Sequence, residues 1–139
     1  MPKPETPLLT VDALILYDKG KKLVLIRRKN PPFQGQLALP GGFVDIGETV
    51  EDACLREASE ETSLIVKIKK MVGVFSKPDR DPRGHTVTIA FLCEPVEKSP
   101  KPKAKTDAAS LEIIPLSEIS KLELAFDHLD IIKASGILK

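Results

Sequence analysis

Apolar and polar residues follow two different periods along this chain, and the period predicts where strands and helices lie. The segments 10–17 and 22–28 are rich in β-branched and aliphatic residues, and the stretch 18–21 between them is typical of a hairpin turn. The same enrichment in β-branched and aliphatic residues predicts further strands over the segments 64–69, 71–76, 86–93 and 111–115. The pattern therefore predicts a sheet as the centre of the fold.

Two other segments change to the period of about 3.6 residues that is typical of amphipathic helices. The first covers 49–62, with Thr49 as the N-cap and Asp52 at the capping-box position. The second covers about 122–135 and ends at Gly136, a residue type favoured at helix C-termini. Strands interspersed with two helices predict a layered α/β or α+β domain.

Composition narrows the class of protein. A length of 139 residues predicts a single domain over 1–139, with 1–8 as a loose arm. The 21 Lys and Arg nearly balance the 20 Asp and Glu, which gives no reason to expect nucleic acid or a membrane as partner. No signal peptide or membrane-spanning run is visible. The lysine-rich segment 98–105 is expected to be a solvated connection rather than a phosphate-binding strip.

The two cysteines, Cys54 and Cys93, lie in apolar stretches and show no metal-ligand spacing. We expect them to be buried free thiols rather than a disulfide, as in a reducing cytoplasm. Cytoplasmic localisation is the corresponding prediction.

The first predicted helix carries carboxylates where its apolar stripe should continue. At about 100° per residue, Glu57 and Glu61 continue the line of Val50 and Cys54, and Glu60 lies beside it. A solvated outer face is the ordinary explanation of acids on a helix, and it fits this line poorly. Crowded carboxylates repel each other unless a cation neutralises them, and Mg²⁺ takes such oxygen ligands together with water and substrate phosphates. The pattern predicts a Mg²⁺ site, with Mn²⁺ as a substitute.

Residues just before this helix fit the same site. Gly41 and Gly42 have no side chains, so the backbone there can approach a metal or a phosphate closely. Glu48 can support the metal or orient Arg56. Arg56 neighbours the acidic patch, and we expect it to hold the carboxylates by charge-assisted hydrogen bonds.

The segment from Gly42 through Glu48 to the run 56–64 resembles the Nudix box, a signature with fixed spacing over these 23 positions. The resemblance implies an α/β/α sandwich with a mixed sheet that hydrolyses nucleoside diphosphates linked to another moiety. Ser63 departs from the pattern, because the family usually has glycine there. Serine predicts a stability cost of about 1 kcal/mol or a different helix ending, without loss of chemistry.

The resemblance also implies roles for individual residues. It implies that the metal ligands are Glu57, Glu60, Glu61 and the backbone carbonyl near Gly42. Arg56 and Glu48 would act in support. The residue that removes a proton from the attacking water stays open among Glu60, Glu61, Glu97, Asp107 and Glu112.

Three further segments, 32–42, 76–85 and 124–128, resemble the ADP-ribose pyrophosphatase branch of the family. Leu37 and Lys77 depart from the pattern, since tryptophan and an acid are common at these positions. Phe33 and Tyr17 can stack on an adenine, although isolated aromatics are usually core residues. His128 and Asp127 receive no role.

The segment 80–85 is interpreted as a proline-stiffened loop between two strands. Arg80 and Arg83 are expected to meet a diphosphate or a terminal phosphate. The alternative is a solvated turn in which Asp79 and Asp81 neutralise the two arginines. The predicted substrate-binding set is Arg28, Gly41, Arg80, Arg83 and His85.

The leading hypothesis is Mg²⁺-dependent hydrolysis of ADP-ribose, or of a similar nucleoside diphosphate sugar, to AMP and ribose 5-phosphate. One alternative is release of pyrophosphate from nucleoside triphosphates, including damaged ones. Another is a binding module that senses ADP-ribose without cleaving it, which the intact acids and the end of the chain at Lys139 disfavour. A homodimer with the apolar segment 8–11 at its interface is a further expectation.

Overall fold

The computed structural model describes residues 2–104 and 108–138. Its elements, in chain order, are β1 (Leu8–Tyr17), β2 (Lys22–Arg28), β3 (Leu37–Ala38), β4 (Gly41–Phe43), α1 (Val50–Thr62), β5 (Val66–Phe75), β6 (Thr86–Pro95), β7 (Ala108–Pro115), α2 (Leu116–Ile119) and α3 (His128–Ser135). Residues 2–7, before β1, form no regular structure and are exposed.

Strand β1 lies at the centre of a mixed sheet that has seven strands within the described residues. It pairs in parallel with β6, from Leu8 opposite Thr86 to Ile15 opposite Cys93. It also pairs antiparallel with β4 and, through the predicted hairpin, with β2. Strand β5 extends the sheet beyond β6, and β3 and β7 both pair with β2.

Side chains of β1 alternate between two cores because successive residues of a strand point to opposite faces. Val11, Ala13 and Ile15 pack against α1, whereas Leu14 packs with residues of α2 and α3. Helices therefore cover both faces of the mixed sheet. The predicted α/β fold is confirmed.

Helix α1 begins and ends where its local signals predict. Thr49 Oγ1 accepts a hydrogen bond from the Asp52 N–H at 3.0 Å, as expected of an N-cap. Ser63 adopts the left-handed conformation at a φ of 67°, and its N–H donates to the Ser59 carbonyl at 3.0 Å. Serine thus ends the helix as glycine would, and the alternative of a different ending is wrong. Its hydroxyl donates to the Lys103 carbonyl at 2.9 Å, which offsets part of the strain.

The structure corrects the prediction of two strands at 64–69 and 71–76. A single strand, β5, runs through both segments, and its register against β6 shifts between Ile68 and Lys70 and between Met71 and Gly73. These irregularities disturb the period-two pattern along one strand, and sequence reasoning interpreted the disturbance as a break.

The last helix is also shorter than predicted, because residues 122–127 form turns instead of helix. Within them Leu124 bridges to Leu37, and the Ala125 N–H donates to the Leu37 carbonyl at 2.8 Å. Phe126 has a φ of 53°, which no α-helix accommodates. The predicted C-cap is confirmed, since Gly136 follows α3 at a φ of 79°.

Other predictions about the core hold. Cys54 and Cys93 are buried free cysteines with their sulfur atoms 3.8 Å apart. Tyr17 packs on the α1 core, which agrees with its interpretation as a core aromatic. Over the described part of the chain, no helix has the length and apolar character needed to cross a membrane.

Candidate active site

Two of the three predicted ligand glutamates lie on the buried face of α1, beside the glycine pair of β4. Glu57 and Glu61 are 9% and 6% exposed. The Gly41 N–H donates to Glu61 Oε1 at 2.7 Å. A Cβ on Gly42 would overlap the Glu57 carboxylate, so only glycine lets the backbone of β4 approach this acid so closely. The structure thus builds a cradle from two carboxylates and the backbone of β4.

Arg56 connects this cradle to the segments around it. Its Nε and Nη2 donate to the two carboxylate oxygens of Glu48 at 2.7 and 2.9 Å. Nη2 also donates to the Phe43 carbonyl at 3.0 Å, and Nη1 reaches Glu60 at 3.3 Å. One guanidinium therefore holds the loop before α1, the end of β4 and the helix itself in a single arrangement. The predicted interaction of Arg56 with neighbouring carboxylates is present.

The ion pair between Glu48 and Arg56 changes the proton affinity of both groups. Hydrogen bonds from the Arg56 guanidinium and from the Asp45 N–H lower the pKa of Glu48 to about 2. The hydrogen bonds to Glu48, with the nearby Glu57 charge and a hydrogen bond to Glu60, raise the pKa of Arg56 further above its ordinary value. Both groups are therefore fully charged near neutral pH.

This shift predicts how stability depends on pH. Because the folded protein holds the Glu48 pKa near 2, against an ordinary value of 4.5, the unfolded chain binds the proton first as the solution is acidified. The Glu48 contribution to stability is therefore complete above pH 4.5 and is lost as pH falls towards about 2. We expect the Tm difference between wild type and Glu48→Gln to shrink over that interval. A constant difference would contradict the assignment, and Glu51→Gln, at an exposed site on α1, is the control.

Two of the predicted ligands form a donor set that fits a hard divalent cation. Glu60 has a side chain 49% exposed, and its carboxylate lies 3.3 Å from the same Arg56 Nη1 that lies 3.6 Å from Glu57, so its role as a metal ligand stays a prediction. No group of three His, Cys, Asp or Glu side chains suited to a metal is found within residues 2–104 and 108–138. Mg²⁺ commonly takes one or two carboxylates and completes its shell with water, carbonyl and phosphate oxygens. Two buried carboxylates beside the carbonyls of β4 meet that requirement.

A cleft extends from the carboxylates across β4 towards α3. The two adjoining pockets that form it share the lining residues Arg28, Gly41, Gly42, Phe43 and Arg83. Burial, and then the charge of Arg83, lower the pKa of Arg28. Two guanidinium groups that repel each other across a cleft favour an anion between them. The cleft thus combines an acidic end with a basic centre.

The sequence and the fold of the chain match those of known proteins. The family model described as the NUDIX domain matches residues 6–134. The chain belongs to the NUDIX domain family. The family prediction made from the sequence is confirmed.

Three relatives of this NUDIX chain are informative. An ADP-ribose pyrophosphatase of Methanocaldococcus jannaschii is 50% identical over 127 residues, which span 91% of this chain and 72% of that protein. The NUDIX domain of Shewanella oneidensis NrtR, crystallised with ADP ribose, superposes at a TM-score of 0.81 with 29% identity, over 95% of this chain and 88% of that one. A bifunctional NMN adenylyltransferase/ADP ribose pyrophosphatase of Francisella tularensis, crystallised with AMP and a Mn ion, superposes at 0.83 with 30% identity, over 95% and 42%.

Among the predicted substrate residues of this NUDIX domain, Arg83 lines the cleft, but it is paired. Its Nη2 lies 2.8 Å from Asp81 Oδ2. Burial raises the pKa of Asp81, but the hydrogen bonds and charge of Arg83, together with the charge of Arg80, lower this pKa further than burial raises it. The ion pair with Asp81 that the alternative interpretation expects is therefore present, and contact of Arg83 with a phosphate stays a prediction. Its guanidinium still lies 5.7 Å from the rings of Phe43 and Phe126, at the mouth of the cleft.

Arg80 has a different partner from the one considered in the sequence. Its Nε and Nη2 donate to the two oxygens of Asp127 at 2.9 and 2.7 Å, and its Nη1 donates to the hydroxyls of Thr86 and Thr88. Its side chain is only 5% exposed, so the expectation of a solvated turn neutralised by Asp79 is wrong here. Direct contact of Arg80 with substrate stays a prediction.

His85 lies in a neighbouring pocket with residues 5–8 rather than in the cleft. Its Nε2 is 3.0 Å from the Ser76 carbonyl. Its role in substrate binding also stays a prediction, and the geometry gives it less support than it gives Arg28 or Arg83.

The alternative proton acceptors are placed apart from the cleft. Glu112 forms an ion pair with Arg27, and Glu97 lies beside Tyr17 at the far end of β1. Asp107 lies outside the described residues. Lys77 is exposed. Leu37 is buried in the core between the sheet and helices α2 and α3, called the α3 core below, so Leu37 has a packing role.

Sequence reasoning missed several residues that line the cleft, namely Asp12, Phe43, Phe126 and His128. One signal was available for Asp12. It interrupts an alternating apolar stripe of β1, since Leu14 and Leu16 share its strand face and belong to the α3 core. Phe33 packs against Phe126 with ring centroids 4.8 Å apart, and Phe126 rather than Phe33 lines the cleft.

Proposed function

We propose that this NUDIX chain hydrolyses ADP-ribose to AMP and ribose 5-phosphate with Mg²⁺. The observation that carries the proposal is the juxtaposition of Glu57 and Glu61 with the backbone of Gly41 and Gly42, at one end of a cleft that three arginines line. The 50% identity to an ADP-ribose pyrophosphatase supports the substrate. In the reaction, water adds to one phosphorus of the diphosphate and the bridging P–O bond breaks.

Each residue of the site has a part in this proposal. Glu57, Glu61 and the Gly42 carbonyl would hold the metal, which supplies charge neutralisation on phosphate oxygens and a more acidic water. Arg28 and Arg83 bind the diphosphate from the centre of the cleft.

Two further arginines act as positioning residues. Arg56 fixes β4 against α1 through Glu48 and the Phe43 carbonyl. Arg80, which also lines the cleft, positions the start of α3 through Asp127.

The test is product analysis. The chain is incubated with Mg²⁺ and ADP-ribose, or with a panel of nucleoside triphosphates, and products are resolved by chromatography with an EDTA control. AMP and ribose 5-phosphate are expected in equal amounts. Pyrophosphate from a triphosphate, with ADP-ribose untouched, would favour nucleotide-pool cleansing instead. Binding of ADP-ribose without turnover would favour a sensor, an alternative kept open by the ADP-ribose complex of the NrtR domain.

Further parts of the proposal concern metal, partners and location. Mg²⁺, with Mn²⁺ as a substitute, is the proposed cation because oxygen ligands alone form the cradle and both ions take such ligands. A small nucleotide, not nucleic acid or a membrane, is the proposed ligand of a chain with net charge +1. Leu8 and Leu9, 60% and 38% exposed, are proposed to face a second copy, which light scattering of the eluted protein would test. The free thiols support a cytoplasmic location.

Gly42→Ala is expected to lower kcat/KM for ADP-ribose by roughly 10- to 100-fold with little loss of stability. The new Cβ displaces the flexible end of Glu57 rather than backbone, and a shift of about 1 Å in a reacting group is enough for such a loss. Steady-state kinetics and thermal unfolding measure the two effects. Gly73→Ala is the control, because a Cβ there meets only ordinary contacts at 3.7 Å. Equal activity of Gly42→Ala and wild type would contradict the close approach.

A further inference from the structure

Asp12 places a carboxylate inside the cleft, and the hydrogen bonding of this carboxylate is incomplete. Its side chain is 9% exposed and lines the cleft on the α3 side of β1. Its Oδ2 is buried and has no hydrogen-bond partner among the described residues. An unpaired buried carboxylate costs folding free energy, so its presence on the central strand calls for a ligand or a mechanism.

The neighbouring groups do not complete its hydrogen bonding. His128 Nδ1 accepts a hydrogen bond from the Leu39 N–H at 2.9 Å, so the proton of the neutral ring is on Nε2. That Nε2 lies 3.4 Å from Asp12 Oδ2 without hydrogen-bonding alignment. The hydroxyls of Thr10 and Thr88, which line the same pocket, bond to each other.

The surroundings decide which part of a ligand Asp12 faces. A carboxylate repels phosphate oxygens. Arg28 and Arg83 line the cleft where it crosses β4, whereas the guanidinium of Arg80, which lines the Asp12 side, is already engaged by Asp127 and by threonine hydroxyls. Asp12 Oδ1 lies against Gly41, on the side of the glycine pair away from the ligand glutamates. A diphosphate over the glycines would therefore present its attached nucleoside to Asp12.

We propose that Asp12 is a specificity-determining residue that accepts a hydrogen bond from an N–H or O–H donor of the substrate's nucleoside. In ADP-ribose the available donors are the exocyclic amine of adenine and the ribose hydroxyls. This inference rests on the proposed function, because it assumes a nucleoside diphosphate as substrate. In the folded protein Asp12 Oδ2 has no hydrogen-bond donor among the described residues, and the N–H or O–H group of the nucleoside supplies one.

A functional carboxylate and a structural one respond oppositely to the isosteric change Asp12→Asn. If Asp12 serves the ligand, Asn removes a buried unpaired charge, so the Tm of the free protein stays equal or rises while recognition weakens. If Asp12 stabilises the fold through His128, the Tm falls and recognition of the nucleoside is unchanged. Asp130→Asn, an exposed change of the same charge on α3, is the control.

The experiment compares wild type, Asp12→Asn and Asp130→Asn on ADP-ribose, its hypoxanthine analogue and its 2′-deoxy analogue. Measurements are kcat/KM with Mg²⁺, and Kd by calorimetry for AMP, IMP and 2′-deoxy-AMP in EDTA. Hypoxanthine carries an oxygen acceptor in place of the amine, and Asn can donate to that oxygen, so the preference for adenine is expected to fall by about tenfold. If the ribose hydroxyl is the donor, the preference over the 2′-deoxy analogue falls by about tenfold instead.

Each result has one meaning. Either loss of preference supports the proposal and names the donor. Ratios within twofold of wild type for both analogues, in kinetics and in binding, would overturn it. If wild type cleaves no ADP-ribose, the proposed function fails, while the binding ratios still test Asp12. If Asp12→Asn does not fold, Asp12→Thr replaces it, because threonine is β-branched and suits a central strand and its hydroxyl can both donate and accept.

Discussion

Glu61→Gln is expected to lower kcat/KM for ADP-ribose by about 10³-fold, and Glu57→Gln by a similar factor. Glutamine keeps the volume of the side chain and can still accept the hydrogen bond from the Gly41 N–H, so the local fold should persist. What it removes is a negative charge beside the backbone of β4, where a divalent cation needs it. Binding of Mn²⁺, followed by calorimetry, should weaken in both variants together with turnover.

Glu51→Gln is the matched control for these variants. Glu51 lies on the same helix and carries the same charge, but its side chain is exposed. We expect its kcat/KM to stay within twofold of wild type. Turnover and Mn²⁺ affinity unaffected in Glu57→Gln and Glu61→Gln would show that the buried carboxylates of α1 are not the metal site.

The second large effect concerns stability. Asp127→Ala is expected to lower the free energy of unfolding by about 3 kcal/mol, because it leaves the guanidinium of Arg80 buried without a counter-charge. Loss of a helix cap does not confound this value, since the Asp127 side chain makes no capping hydrogen bond to α3. Urea unfolding followed by circular dichroism at neutral pH measures the change.

Asp130→Ala, an exposed change on the same helix, is expected to stay within about 0.5 kcal/mol of wild type. Addition of Arg80→Met to Asp127→Ala should recover part of the lost stability, because the uncompensated charge is then gone. A loss below about 1 kcal/mol in Asp127→Ala would contradict the assignment of a buried structural ion pair.

Helix α1 shows which features sequence reasoning reaches. Its capping residue and its apolar stripe are set by neighbours within a few positions, so Thr49 could be assigned without a structure. For Ser63 the sequence left two helix endings open, and the structure has the left-handed one. The same periodicity placed Glu57 and Glu61 on the buried face. Glu60 shows the limit of this reasoning, because periodicity does not reveal that its carboxylate contacts Arg56 and that its side chain stays 49% exposed.

Elements with irregular or very short patterns could not be predicted. Strands β3 and β4 have two and three residues, too few to show a period. The register shifts of β5 and the left-handed Phe126 interrupt patterns that otherwise continue. Their positions are set by pairing partners far along the chain, such as Leu37 for Leu124.

Sequence alone determined the local part of this protein: the hairpin, α1 and its buried acids, the glycine pair and the family they indicate. Only the tertiary structure decided which charged side chains lie at the two ends of the cleft and which partners they have. Arg80 is 47 positions from Asp127, and Asp12 meets His128 only because β1 lies beneath the start of α3. Such contacts depend on how distant parts of the chain cross, which no local period encodes. They determine which charged groups find hydrogen-bond partners within the fold and which are left for a ligand.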